Sequence, residues 1–154
     1  MNARIAKSSD AETITSLINA AFRVEQFFVD GDRIDLAQVT ALFEKGEFLL
    51  LEDDRGLAGC AYLEARGERA YLGLLSIDPS RQRSGLGSRL VASAENRLRE
   101  KNCRFLDLQI VNVREELPCF YARLGYVADG TSPFPADVPT KIPCHFVKMW
   151  KTLV

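Results

Sequence analysis

The sequence predicts an α+β fold, in which a mixed sheet that is antiparallel first and parallel in its middle carries helices on its faces. Three apolar strand patterns joined by tight turns cover residues 48–78 and predict an antiparallel meander. A strand, a helix and a strand then follow over residues 74–111, an order that favours a parallel crossover. No linker, repeat or low-complexity tract interrupts the 154 residues, so we expect one domain spanning residues 1–154.

The chain opens with a weak strand pattern at residues 3–8 and a helix whose apolar residues recur at helical spacing from Ile14 onward. Ser9 followed by Glu12 has the spacing of a capping box, which predicts where this helix begins. A second, shorter helix is predicted over residues 35–46, where Gly46 ends the apolar periodicity.

The remaining elements follow from the same patterns. Turn residues divide the meander, and a glycine follows the last helix where a left-handed C-terminal cap is expected. The predicted strands are 48–53, 57–66, 70–78, 104–111, one from 126 onward and 144–153, and the predicted helices are 86–102 and 115–124. Residues 131–143 hold four of the six prolines and are therefore predicted to be a loop.

Composition excludes several classes of protein. The chain is 47% hydrophobic and 27% charged, with a net charge of −1, which gives no basis for nucleic acid or a membrane as a partner. The polar N-terminus does not resemble a signal peptide, and no apolar run reaches the length of a membrane span. The four cysteines are scattered without a C-x-x-C pair, so we expect a reduced, cytoplasmic protein without a metal.

The segment "SRQRSGLGSRL" joins a predicted strand to a predicted helix and contains the chemistry of an anion site. Gly85 and Gly87 lack a Cβ atom, so the backbone can bend tightly and approach a ligand closely. The helix that begins here presents free N–H groups and the positive end of its dipole. Arg81, Arg83 and Arg89 add positive charge. We therefore expect the segment to bind a phosphate or a diphosphate.

Three phosphate-binding motifs compete for this segment. The P-loop pattern G-x-x-x-x-G-K-[ST] is absent, and Leu90 stands where the dinucleotide fingerprint needs its third glycine. The acyl-CoA pattern Q/R-x-x-G-x-G/A is matched in full by Gln82, Gly85 and Gly87. Taken alone, the loop leaves open a simpler interpretation, a glycine turn into a helix with solvated arginines.

Two motifs together carry a resemblance to a known family. The segment "LLSIDPSRQRSGLGSRLVASAE" resembles motif A of the GNAT acetyltransferase superfamily, and "FYARLGYV", residues 120–127, resembles the F-Y-x-x-x-G-F/Y signature of its motif B. The resemblance covers nearly the whole chain, although the N-terminal part matches only in architecture. It implies a GNAT-like, mostly antiparallel sheet with a splayed parallel pair in the middle and helices on both faces.

The resemblance also implies acetyl-CoA as acyl donor, with its pantetheine arm in the gap between residues 74–77 and 106–111. Backbone groups of the fourth strand would bind that arm, and backbone N–H groups of the loop would cradle the diphosphate. The implied contacts are Leu75, Ser76, Ile77, Gln82, Arg83, Ser84, Gly85, Leu86, Gly87, Ser88 and Asn112. For Asn112, a polar strand end without a ligand is an equal alternative.

Tyr121 stands where the family often places a tyrosine near the thioester sulfur. A phenol in that position can protonate the departing CoA thiolate, and the alternative is an aromatic residue of the core. Some members carry a glutamate base on the fourth strand, but here the matching position is Tyr71. Glu64 and Glu47 are candidate substitutes for that base, and the alternative for each is a solvated position in a turn or at a strand edge. The identity of the general base therefore stays open.

Acceptor specificity in this architecture comes from residues 23–35 and 131–145. Their candidate substrate contacts are Glu25, Phe28 and His145, because acidic and aromatic groups suit a cationic amine. The alternatives are a solvated helix flank, core phenylalanines and a structural histidine. We expect acetyl transfer to a primary amine of a small molecule. A non-catalytic CoA-binding domain, acetylation of a protein N-terminus or lysine, and a homodimer stay open.

Overall fold

The computed structural model describes residues 1–81 and 84–153 and confirms the predicted α+β architecture. The described residues form seven strands, and strand bounds lie within a few residues of those predicted. These strands are β1 (Asn2–Ile5), β2 (Glu47–Asp53), β3 (Gly56–Arg66), β4 (Arg69–Ile77), β5 (Phe105–Val111), β6 (Val127–Pro133) and β7 (His145–Thr152). The α-helices are α1 (Ala11–Phe22), α2 (Leu36–Lys45), α3 (Leu86–Glu100) and α4 (Glu116–Arg123).

All seven strands lie in one sheet, in the order β1-β2-β3-β4-β5-β7-β6. The neighbouring pairs are antiparallel except for β4 and β5, which are parallel and joined through α3. Helix α3 packs on one face of the sheet, and α1 and α2 pack on the other. The helices on both faces therefore match the architecture that the sequence predicts.

The parallel pair is splayed, as predicted. β4 and β5 pair only at their first residues, from Arg69 opposite Phe105 to Tyr71 opposite Asp107. β4 then stays with β3 while β5 stays with β7. Between the pairs Tyr62–Gly73 and Cys60–Ser76, β4 has one residue more than β3, and Leu74 adopts a positive φ of 53°. This β-bulge bends β4 at the point where the gap opens.

Two apolar layers hold the sheet. On the α3 face, Leu90 and Leu98 have no solvent exposure, and burial of each such side chain contributes about 1.5–3 kcal/mol. On the other face, Ile14 and Ile18 of α1 pack in the same layer as Phe48 of β2. The two layers cover opposite faces of the sheet and hold the strands that border the gap between β4 and β5.

Helix α1 does not begin with the predicted capping box. Residues Ser8–Asp10 form a 3₁₀ turn, and α1 begins at Ala11. The carboxylate of Asp10 accepts hydrogen bonds from the Lys7 N–H at 2.8 Å and from the Arg4 guanidinium at 2.9 Å. The Ser9–Glu12 prediction is therefore wrong, because a carboxylate with a cationic partner is a stronger acceptor than a serine hydroxyl.

No helix within residues 1–81 and 84–153 is both long and apolar enough to cross a membrane. Over the same ranges, no three His, Cys, Asp or Glu side chains are grouped so that they could hold a metal ion.

A buried charged cluster joins α3 to the end of the chain. Glu95 is 6% exposed, and its carboxylate accepts from the Tyr126 hydroxyl at 2.8 Å and from the Lys151 ammonium at 3.0 Å. The Tyr126 ring packs edge-on against Tyr121 of α4, with centroids 5.7 Å apart. The cluster therefore fixes the position of Tyr126, which packs against α4, as well as the position of β7.

Glu95→Gln should lower the free energy of unfolding by about 1–3 kcal/mol, because the Lys151 ammonium would lose its anion in a half-buried position. Urea denaturation measures this change. Glu68→Gln is the matched control, because its ion pair with Arg104 is more than half exposed on both sides and should contribute less than about 1 kcal/mol. Equal losses in the two variants would contradict a stabilising role for the cluster.

Candidate active site

A cavity of about 430 Å³ opens where β4 and β5 separate. Its walls come from Gly73 and Leu75 of β4, Ile110 of β5, Tyr121 of α4 and the two segments that the sequence assigns to the acceptor. The gap in the sheet and the two segments that the sequence assigns to the acceptor thus border one cavity. Two reacting groups held together in such a cavity gain much of their acceleration from positioning.

The connection between β6 and β7 is fastened over the connection between α1 and α2. Phe134 packs between Phe28 and Phe146, with ring centroids 6.4 and 5.2 Å apart. The Lys141 N–H donates to the Phe28 carbonyl at 2.7 Å, and the Lys141 ammonium pairs with Asp30 at 3.0 Å. Because these contacts close the acceptor side, the cavity is a pocket here rather than an open groove.

Tyr121 lies in the wall of the cavity, with 5% of its surface exposed. Its ring is held edge-on by Phe120 and Tyr126, at centroid distances of 4.9 and 5.7 Å. Burial raises the pKa of the Tyr121 phenol, so the hydroxyl stays protonated at neutral pH. Within the described parts of the chain the structure gives this hydroxyl no hydrogen-bond partner. Tyr121 is thus a fixed, protonated donor at the cavity wall.

Glu25 and Arg114 form an ion pair on the same cavity wall. The Arg114 guanidinium donates to Glu25 at 3.0 Å and to Glu116 at 3.1 Å. The Arg114 side chain is only 16% exposed, and the Glu25 side chain is only 11% exposed. Burial raises the pKa of Glu25 above its ordinary value, although Arg114 opposes that shift. Sequence patterns do not single out Arg114, because its partner lies 89 residues away.

The other acidic residues considered as bases lie elsewhere. Glu64 accepts from the Tyr62 hydroxyl at 2.6 Å and pairs with Arg66, and the Tyr62 contact is the main cause of its lowered pKa. Glu47 pairs with Arg97 of α3, which holds its pKa below the usual range. Neither side chain lines the cavity between β4 and β5. Carboxylates held in their charged form are weak bases, so both are poor candidates.

Tyr71, the residue at the fourth-strand position, lines the cavity and also a wider groove of about 900 Å³ beside it. Its ring lies against Gly73, where an added Cβ atom would come within 2.8 Å of the Tyr71 hydroxyl. Gly73 therefore provides the space in which the ring turns toward the cavity. Burial raises the pKa of this phenol too, so Tyr71 is not a base at neutral pH.

Asn112 and His145 bind each other across the end of β5 and β7. The backbone N–H of Asn112 donates to the His145 carbonyl at 2.9 Å, and the backbone N–H of His145 donates to the Asn112 side-chain oxygen at 2.8 Å. His145 is exposed, and neither residue lines the cavity. Phe28 is fully buried beneath the loop that it supports and does not line the cavity either. Of the three acceptor candidates, the structure places Glu25 in the pocket.

The predicted diphosphate loop leads into α3. Gln82 and Arg83 lie outside the described residues. Gly85 adopts the left-handed conformation, with φ at 77°, and its carbonyl accepts the first helical hydrogen bond, from the Arg89 N–H at 3.1 Å. The N–H groups of Leu86, Gly87 and Ser88 precede that bond and have no acceptor within the helix. They are free backbone donors at the helix terminus where the sequence predicts a diphosphate site.

Two of the flanking arginines, Arg81 and Arg89, have hydrogen-bond partners within the protein. The Arg81 guanidinium is 9% exposed and pairs at 2.6 Å with Asp53, whose pKa it lowers. Arg89 donates to the Met1 carbonyl at 3.1 Å. The Ser84 hydroxyl donates to the Arg81 carbonyl at 2.7 Å, which fixes the loop just before the helix. Among the described groups, an anion here would meet the backbone N–H groups at the start of α3 and the Arg89 guanidinium.

The predicted contacts in β4 lie at the bulge. Ser76 is buried, and its hydroxyl donates to the Leu74 carbonyl at 2.9 Å, so only its backbone is available to a ligand. Leu75 lines the cavity, while Ile77 is opposite Gly59 in the ladder with β3. Because the bulge places Leu74 and Leu75 opposite the single residue Ala61, regular pairing is interrupted beside the gap.

Comparison with known proteins decides the family. Residues 44–128, more than half of the chain, match the family model described as the acetyltransferase (GNAT) domain. The chain belongs to the GNAT acetyltransferase family. This GNAT chain is 34% identical over 96 residues to the blasticidin-S acetyltransferase of Streptomyces morookaense, a match that covers 61% of this chain and 67% of the relative.

Solved structures confirm the GNAT fold. Ard1 from Thermoplasma volcanium superposes with a TM-score of 0.81 at 18% identity, covering 99% of this chain and 97% of that one. YncA from Salmonella typhimurium, solved with its cofactor acetyl-CoA, gives 0.77 at 20% identity and covers 100% and 94%. At these identities the likeness shows the fold alone.

Proposed function

We propose that this GNAT chain transfers an acetyl group from acetyl-CoA to a primary amine of a small molecule, by direct attack in a ternary complex. The observation that carries the proposal is the meeting of three groups in one cavity. A protonated phenol, Tyr121, and a buried ion pair, Glu25 with Arg114, line the pocket where β4 and β5 separate. The fastened loop over the acceptor side supports a small molecule rather than a folded protein.

The residues present fit acetyl-CoA. The interrupted ladder at Leu74 and Leu75 leaves backbone groups beside the gap for the pantetheine amides, and the N-terminus of α3 offers unpaired N–H groups for the diphosphate. Bound there, acetyl-CoA supplies an activated thioester. Of the predicted contacts, Leu75 lines the cavity, and Leu86, Gly87 and Ser88 lie at the start of α3. The Asn112 side-chain oxygen is already engaged.

Two of the pocket's polar side chains then have a defined task. The Glu25 carboxylate, whose pKa burial raises, orients the acceptor's ammonium group toward the gap and takes one proton from it, so that the neutral amine attacks the thioester carbonyl carbon. As the C–S bond breaks, the Tyr121 hydroxyl, which burial keeps protonated, donates its proton to the departing sulfur and then takes up the second proton that the nitrogen releases. The apolar side chains of the cavity, Val29 and Leu117 among them, exclude water from the reacting groups.

Thermal shift and thiol-release assays test this proposal together. Acetyl-CoA at about one hundred times its Kd should stabilise the protein by about 2.7 kcal/mol and raise its Tm. A panel of small primary amines should then release free CoA thiol at a rate that depends on the amine, above the rate with no amine. No shift at millimolar acetyl-CoA would refute the donor assignment. Binding without amine-dependent release would favour the non-catalytic, CoA-binding alternative.

A further inference from the structure

The ion pair between Glu25 and Arg114 uses only part of each side chain. Nη1 of Arg114 donates to Oε2 of Glu25, and Nε donates to Oε2 of Glu116. Nη2 of Arg114 and Oε1 of Glu25 are left without a partner in residues 1–81 and 84–153. Every fully buried side-chain nitrogen or oxygen in these ranges has a partner, so both atoms must reach open space. The cavity is the open space that both residues line.

The pocket therefore offers a donor and an acceptor of opposite charge side by side. The wall carries three other charged groups that the structure describes. Asp30 is 84% exposed and pairs with Lys141, and Asp32 is exposed as well. The Arg33 guanidinium lies over the Phe22 ring at 5.5 Å, and its charge also acts on Glu25. An acceptor with an ammonium group alone would satisfy Glu25 but leave the Arg114 nitrogen without a partner once water is displaced. An unpartnered, desolvated charged group weakens binding strongly.

We infer that the acceptor is an amine that carries a carboxylate or carbonyl oxygen three bonds from its nitrogen. Oε1 of Glu25 binds the ammonium group, and Nη2 of Arg114 binds the oxygen. Free amino acids and the first residue of a peptide both have this chemistry, whereas the side-chain amine of lysine does not. This inference rests on the proposed function and narrows its class of acceptor.

Matched acceptors test the inference on the unaltered protein. Several amino acids are each compared with the amine formed by removing the carboxylate, and kcat/KM is measured by thiol release at saturating acetyl-CoA. The member with the carboxylate should be preferred about tenfold or more, the contribution of a hydrogen bond to a charged group. Short peptides and an N-acetylated lysine amide complete the panel. Preference for peptides identifies the first carbonyl as the oxygen, and preference for free amino acids identifies the carboxylate.

Variants test whether the Arg114 side chain causes the preference for acceptors that carry the carboxylate. Arg114→Gln should remove the preference by raising KM for the amino acids, while the Kd for acetyl-CoA is unchanged and the simple amines are affected less. Glu116→Gln is the control, because it removes an exposed partner of Arg114 and leaves the Glu25 contact in place. The Glu116→Gln variant should prefer acceptors with a carboxylate as strongly as the unaltered protein does. If Arg114→Gln does not fold, the matched acceptors on the unaltered protein still decide.

The outcomes separate this inference from the proposed function. Acetyl transfer to amines with and without the oxygen at equal kcat/KM overturns the inference alone. A preference that survives Arg114→Gln also overturns it, since Arg114 would then be a structural partner of Glu25. Absence of thiol release with every acceptor, despite acetyl-CoA binding, overturns both. A preference that Arg114→Gln removes and Glu116→Gln keeps supports the inference.

Discussion

Tyr121→Phe should lower kcat about a hundredfold or more and leave the Kd for acetyl-CoA nearly unchanged. The substitution removes one oxygen atom and keeps the ring, so the edge-on contacts with Phe120 and Tyr126 persist. The hydroxyl has no hydrogen-bond partner in the described residues, and its removal therefore breaks no bond of the folded protein. What is lost is the proton donor at the cavity wall. Steady-state kinetics with thiol detection and calorimetric titration of acetyl-CoA measure the two quantities.

Tyr126→Phe is the matched control for this experiment. It removes the same atom from the neighbouring ring, but there the hydroxyl donates to Glu95 and lies in the cluster that fixes β7. We expect Tyr126→Phe to lower the free energy of unfolding and to leave kcat within a few-fold. An unchanged kcat in Tyr121→Phe, with a single-turnover rate that is also unchanged, would remove Tyr121 as the acid. The single-turnover rate is needed because product release can hide a change in chemistry.

The elements of this fold are predictable because their signals are local. Period-two and helical spacing of apolar residues decide the strands and helices, and the short turns of the meander force neighbouring strands to pair antiparallel. The parallel pair follows from the strand-helix-strand order of residues 74–111. The splay itself came from the resemblance to GNAT proteins. The bulge at Leu74 and Leu75 accompanies the splay, and no turn residue stands at these two positions to predict the bulge from the sequence.

The acceptor side is less predictable, because its contacts join distant parts of the chain. Glu25 was one of several acidic residues in an irregular segment, and only the fold brings Arg114 to it. The same limit applies to Arg81. The sequence shows a cation beside a glycine loop, but the structure pairs it with Asp53 in the turn between β2 and β3. Composition shows the charges present in a segment, and tertiary structure decides which of them are already neutralised.

The same pairing bears on the predicted anion site at the start of α3. Arg81 is neutralised by Asp53, whereas Arg89 keeps its charge and donates to the neutral Met1 carbonyl. The described positive groups at this terminus are therefore Arg89, the backbone N–H groups and the helix dipole. Backbone donors cannot be removed by changing a side chain. They can be opposed by placing a negative charge beside them, and Gly85 is the suitable position. An added Cβ atom at Gly85 would have nothing within 4 Å among the residues that the structure describes.

Gly85→Glu should therefore reduce the thermal shift that a fixed concentration of acetyl-CoA produces. A carboxylate near a bound diphosphate costs about 1–4 kcal/mol at about 4 Å, depending on the local dielectric constant, and this weakens binding by about tenfold or more. The unliganded protein should tolerate the charge, because an acidic side chain near a helix N-terminus is favourable. The measurement is the Kd for acetyl-CoA by titration, together with the Tm of the unliganded variant.

Gly85→Ala is the control that isolates the charge. Alanine at a φ of 77° carries a backbone strain of about 1–2 kcal/mol similar to that of glutamate, but it brings no negative group to the helix terminus. Ala92→Glu places the same charge on an exposed position farther along α3. Both controls should keep acetyl-CoA binding within a few-fold of the unaltered protein. If Gly85→Glu binds acetyl-CoA as tightly as Gly85→Ala does, the diphosphate does not lie at this terminus, and the donor must enter the gap by another route.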